Sequence, residues 1–116
     1  MPSSFGEPNG LAKKTFDTVL LEAVDEALST LGDSARQSIY FHLEKEFQIP
    51  RRDIPNRPKD FQNGIERIFG SGARFLEILI MKKLYEKVGS QLIYDEKKDL
   101  AFADYVTAAK QSMLSK

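Results

Sequence analysis

The stretch RIFGSGAR, Arg67 to Arg74, sets two glycines around a serine and ends on an arginine, with apolar helical patterns on both sides. A phosphate site at a helix start needs free backbone N–H groups and close approach of the ligand, which glycine permits. The stretch has those parts, but it lacks the preceding strand and the Lys-Ser/Thr ending of a P-loop. The alternative is a turn. Gly70 can take the left-handed geometry that ends one helix, Ser71 can cap the next, and Gly72 with Ala73 can let two helices come close. The turn is the expectation.

His42 is the sole histidine, which excludes a histidine metal cluster within one chain. No nucleophile motif accompanies it, so a Ser-His-Asp triad has no support. Arg36 and His42, in RQSIYFH, are spaced like the arginine and histidine of small helical ribonucleases of the HEPN class. That resemblance implies metal-independent cleavage at a dimer interface, acting on the RNA 2′-hydroxyl or phosphate. The wider pattern of that class is not evident, and a surface histidine beside the Leu43 stripe is the competing reading. Glu44 with Glu46, and Glu22 with Glu26, are acids of the kind that decorate exposed helix faces. A general acid needs a pocket that shifts its pKa, and the sequence shows none, so no catalytic residue is nominated.

Charge is balanced overall, with 17 basic and 17 acidic residues, but it is unevenly spread. Gln48 to Lys83 holds eight basic residues and four acids, a +4 segment between flanks that together carry −4. Arg51, Arg52, Arg57 and Lys59 lie in its proline-rich part and are the candidate nucleic-acid contacts. Phosphate contacts of this kind would give salt-sensitive, sequence-independent affinity. No helix-turn-helix or RNA-binding signature accompanies them, and Phe47 and Phe61 fit core stripes instead of stacking platforms.

The elements that must position these residues are helices. Phe16, Leu20, Ala23, Val24, Ala27 and Leu31 recur at helical spacing and predict a first helix over about 14–31, stopped by Gly32. Asp33 or Ser34 would cap a second helix, Ala35 to about Phe47, with Ala35, Ile39, Leu43 and Phe47 on one face. Pro50, Pro55 and Pro58 forbid helix continuation, while Ile49 and Ile54 should dock this loop onto the core. A third helix starts near Pro58 with Phe61, Ile65, Ile68 and Phe69 inward.

The fourth helix, about 72–88, contains FLEILIM, apolar at every position but one. A helix apolar nearly all round is buried on several sides, so it is the central helix, a dimer interface, or both. Leu92, Ile93 and Tyr94 could extend it or form a short extended piece. Asp99 would cap a last helix to about Leu114, with Leu100, Ala103, Val106 or Tyr105, Ala109 and Met113 inward. No segment reads as a strand. The expected fold is an all-α bundle of about five helices with an ordered Pro-rich loop. A flexible tail over 1–12 precedes a single domain over 13–116.

At 116 residues the chain suits one domain with a real core. The absence of cysteine excludes disulfides, thiolate metal sites and a cysteine nucleophile. No apolar run reaches transmembrane length, and MPSSFGEPNG lacks the regions of a signal peptide. A cytoplasmic protein, with no membrane partner, is expected.

The segment over 16–89 resembles a small archaeal helical domain, the fifth type of Nitrosopumilus output domain. The resemblance is carried by LG at Leu31–Gly32, IYFHLEKEF at Ile39–Phe47, DIP at Asp53–Pro55 and IFGSGA at Ile68–Ala73. It implies a module found alone or joined to sensor and receiver domains, and it brings no catalytic residues. Here a further segment follows from Ser90. The resulting expectation is a non-enzymatic protein-interaction module in signalling or regulation, without cofactor or metal. Phe75, Ile78, Leu79 and Met81, off the main stripe of the fourth helix, would meet a protein partner or a second copy in a homodimer. Nucleic-acid binding through the basic segment is the alternative, and a HEPN-like ribonuclease the third.

Overall fold

The computed structural model describes residues 15–92 and 101–115. They form five α-helices: α1 (Phe16–Ser29), α2 (Asp33–Phe47), α3 (Pro58–Phe69), α4 (Ala73–Val88) and α5 (Phe102–Leu114). Two 3-10 turns, Arg51–Asn56 and Gly70–Gly72, lead into α3 and α4. No strand occurs among the described residues, so the expected all-α bundle is the observed architecture. The expected tail over 1–12, the Asp99 cap, Ile93, Tyr94 and Leu100 lie outside the described residues.

Thr15 starts α1: its backbone is extended and its hydroxyl accepts a hydrogen bond from the Thr18 N–H at 3.2 Å. Asp17 in the first turn suits the positive end of the helix dipole. The helix ends at Ser29, earlier than the apolar spacing predicts, so Leu31 leaves the helical phase and is 47% exposed. Val19 and Leu28 join the core in its place. Gly32, at φ 102°, lies two residues past the C-cap of α1, donates its N–H to the Ser29 carbonyl at 3.0 Å and is also the N-cap of α2. Neither Asp33 nor Ser34 caps α2, because both fall at its start, inside the helix.

α4 is the central helix. It packs against α1, α3 and α5, and its stripe of Ala73, Leu76, Ile80, Leu84 and Val88 is buried as expected. Lys87 ties its solvent edge to α1, with Nζ 2.6 Å from Glu26 and 3.7 Å from Glu22. α2 bridges α1 and α3. Its seam with α3 is set by Gly64, where an added Cβ would come within 2.7 Å of Leu43 Cδ2. The close approach expected at Gly72 is therefore found at Gly64. A Cβ on Gly72 would meet nothing nearer than 4.0 Å.

The proline loop is ordered by Ile49 and Ile54, both buried. Pro58 opens α3 in its first turn, where a missing N–H costs nothing. Ala101 is the N-cap of α5, and its N–H donates to Asp104 Oδ2 at 3.0 Å.

Candidate functional site

The basic residues of the loop divide into two kinds. Arg51 is bidentate on Asp25, with Nε 3.0 Å from Oδ1 and Nη2 2.6 Å from Oδ2. The Tyr40 hydroxyl donates to the same Oδ1, so this cluster joins the loop to α1 and α2. Burial pushes the Asp25 carboxyl up, but the hydrogen bonds from Arg51 and Tyr40 outweigh it and hold it below its ordinary value. Burial and the Asp25 bond push the Tyr40 phenol up. Arg57 donates from Nη1 to the Gln48 carbonyl at 2.5 Å and from Nε to Asp60 at 3.0 Å. Gln48, at φ 56°, is the left-handed cap of α2, so Arg57 fastens that cap to the start of α3. Arg52 and Lys59 are exposed. The four expected phosphate contacts thus reduce to two side chains not engaged in holding the fold.

Arg36 and His42 do not converge. Six residues apart on one helix, they point about 120° away from each other. Arg36 lies 3.7 Å from Asp33, while His42 Nδ1 faces Glu46 at 3.3 Å and its ring meets Phe41 edge-on.

Of the four residues expected at an interface, Phe75 is 85% exposed and Ile78 and Leu79 are half-buried. Met81 is 2% exposed and packs inside the chain. It faces the α3 and α5 side with Glu66 and Phe102, so it has no surface to offer a partner. Phe75 itself forms part of the wall of a shallow groove of about 200 Å³, together with Leu31, Phe69, Leu76 and Leu79, and Thr30 and Gly72 complete the lining.

The GSG turn does not cap α4: no side-chain hydrogen bond is made at its N-cap, Gly72. Gly70 has the expected positive φ, 61°. Gly70 and Ser71 also form the rim of an open cleft, shared with Glu66, Ala73, Arg74 and Glu77. Two carboxyl groups in its wall make it a poor phosphate cradle.

The feature that sequence reasoning missed is Glu77, the one acid in FLEILIM. It is 5% exposed, and its Oε2 makes no hydrogen bond among the described residues. Burial pushes its pKa up, the facing Glu66 carboxyl adds to this through a hydrogen bond and its charge, and Arg74 opposes; the result is about 7. Glu66 is oriented by Gln62, whose Nε2 donates to it at 3.1 Å while its Oε1 accepts from Ala103 N–H at 3.2 Å. A lone acid in an apolar run was a visible signal. Its partner in another helix was not.

Comparison with protein-family models, with curated proteins and with solved structures finds no match for this chain. Among the described residues, no helix is long and apolar enough to cross a membrane.

Proposed function

We propose that the protein is a non-enzymatic helical interaction module that pairs with a second copy of itself through the end face of α4. The observation that carries this reading is Phe75, a phenyl ring 85% exposed in the wall of an apolar groove. An exposed ring on the lip of a groove can enter the groove of a second copy while the second copy's ring enters its own, which is the self-complementarity that a two-fold interface needs. A groove of about 200 Å³ is large enough for such a ring, since an apolar cavity of roughly 150 Å³ admits benzene. A regulatory role in the cytoplasm fits a helical module of this size, and the resemblance of its IYFHLEKEF and IFGSGA motifs to archaeal output domains supports it.

Sedimentation equilibrium tests the reading. The wild type should associate with rising concentration, while Phe75→Glu stays monomeric with unchanged helical circular dichroism. A wild type that is monomeric at every concentration would overturn it.

A further inference from the structure

We infer that α5 is a releasable helix and that Glu77 is its latch: the carboxyl keeps α5 seated on α3 and α4 while protonated and loosens it once ionised. This latch is separate from the apolar end face and does not depend on the pairing reading.

The seat of α5 is built from two helices. On α4, Glu77, Met81 and Tyr85 recur at every fourth position and are all buried, so they form one stripe along a single face. α5 covers that stripe. Its Ala101, Phe102 and Tyr105 line a small cavity together with Glu77 and Met81, and the Tyr85 hydroxyl donates to the Tyr105 carbonyl at 2.8 Å. On α3, the Phe61 ring lies 5.9 Å from that of Phe102, and Gln62 Oε1 accepts from the Ala103 N–H at 3.2 Å. Ser90, just past α4, is hydrogen-bonded to Ser112 near the other end of α5, so the two helices run parallel.

The contacts of α5 in this seat are apolar packing and neutral hydrogen bonds. Glu77 is the exception in the stripe. It is 5% exposed, and its Oε2 makes no hydrogen bond among the described residues. A protonated carboxyl tolerates such a place far better than a carboxylate, which needs acceptors satisfied on both oxygens. The ionisable and charged groups that line the cavity with it are Glu66 from α3, Arg74 from α4 itself and Tyr105 from α5, and α1 contributes no residue there. Arg74 favours the charge on Glu77, burial and Glu66 oppose it, and the opposition prevails. α5 brings cover but no cation to Glu77, so the ionised carboxyl is better placed when α5 has moved off and water has reached it.

The chain allows that movement. Residues 89–101 separate α4 from α5, so α5 can leave its seat while α4 stays wound and packed on α1. Local openings of this kind cost less than global unfolding. The sign follows from proton linkage. The seated state keeps the Glu77 proton up to about pH 7, whereas the open state gives it up at lower pH. Opening therefore grows as pH rises towards that value and levels off above it.

The test is native-state hydrogen exchange of the full chain, read residue by residue by nuclear magnetic resonance, from mildly acid to mildly alkaline pH and with low concentrations of denaturant. Amides of α5 are expected to exchange through an opening that responds weakly to denaturant, and those of α1 through global unfolding that responds steeply. After correction for the intrinsic exchange rate, α5 protection should fall by up to ~10-fold per pH unit below neutrality. Glu77→Gln, uncharged at every pH, should abolish that fall, with unchanged circular dichroism showing that the variant folds. Amides of α5 that share the denaturant response of α1, or wild-type α5 protection that is flat with pH, would overturn the inference without recourse to a variant. A fall with pH that survives Glu77→Gln would overturn it as well.

Discussion

Glu77 shows how one side chain can couple stability to pH. In the unfolded chain its carboxyl titrates at 4.5, and in the folded protein at about 7. Between those values the folded state holds a proton that the unfolded state has lost. The favourable contribution is therefore complete below pH 4.5 and declines as pH rises towards about 7. Asp25 works in the opposite sense. Its folded value lies below 3.8, so its contribution is present above that value and is lost as pH falls. Chemical denaturation across this range should show stability falling from pH 4.5 to about 7, and Glu77→Gln should flatten that slope. An unchanged slope in the variant would assign the titration to another group. Glu77 was legible as an anomaly, since a helix apolar nearly all round has no evident use for an acid. Its shifted pKa was not legible, because the shift comes from burial and from the facing Glu66 carboxyl, both of which exist only once the helices have packed. The same holds for Arg51 and Arg57. Composition marks them as part of a basic segment, while their partners Asp25 and the Gln48 carbonyl are brought to them by the fold.

At the scale of the element, the helices themselves were readable. Amphipathic spacing and Pro58 placed α1 to α4 close to their observed positions, and the docking isoleucines of the proline loop are buried as their types imply. The ends were less readable, because termini depend on backbone geometry more than on apolar period. Leu31 fits the spacing of α1 yet lies beyond its last turn, which frees it for the end face. Ser71 has a capping side chain, but the chain tightens into a 3-10 turn there and Gly72 becomes the N-cap. Gly64 gave no signal, since a glycine inside a helical pattern reads as a flaw until its neighbour is known. Alanine there would gain about 1 kcal/mol of helix propensity. It would also drive a methyl within 2.7 Å of Leu43 Cδ2, and Leu43 is fully buried with little room to give way. Overpacking of this kind costs about 1–3 kcal/mol. Gly64→Ala should therefore lower the denaturation midpoint despite the better helix former, and a raised midpoint would mean that Leu43 can move aside.

For the whole molecule, the question is why α4 carries more apolar surface than the other described residues cover. Contacts with α1, α3 and α5 take up the main stripe and also Met81. Towards its N-terminal end no helix among the described residues covers Phe75, and Leu31 and Leu79 border the same uncovered area. Two apolar side chains only six positions apart, Phe75 and Met81, thus have opposite relations to the fold. Burying a Phe side chain is worth about 1.5–3 kcal/mol, a gain that none of the described residues gives Phe75 and that association would supply, whereas Met81 has its share inside one chain. Glutamate at Met81 would place an unpaired charge in the core, so Met81→Glu should lose cooperative thermal unfolding at any protein concentration. Glutamate at Phe75 leaves the monomer core untouched. In the wild type, association with the folded state alone makes the melting temperature rise with protein concentration, and in Phe75→Glu that rise should vanish while the low-concentration melting temperature is kept. A Phe75→Glu variant that melts lower than wild type even at high dilution would place Phe75 in the monomer's own stability, and the end face would then be a part of one chain's core instead of a meeting surface for two.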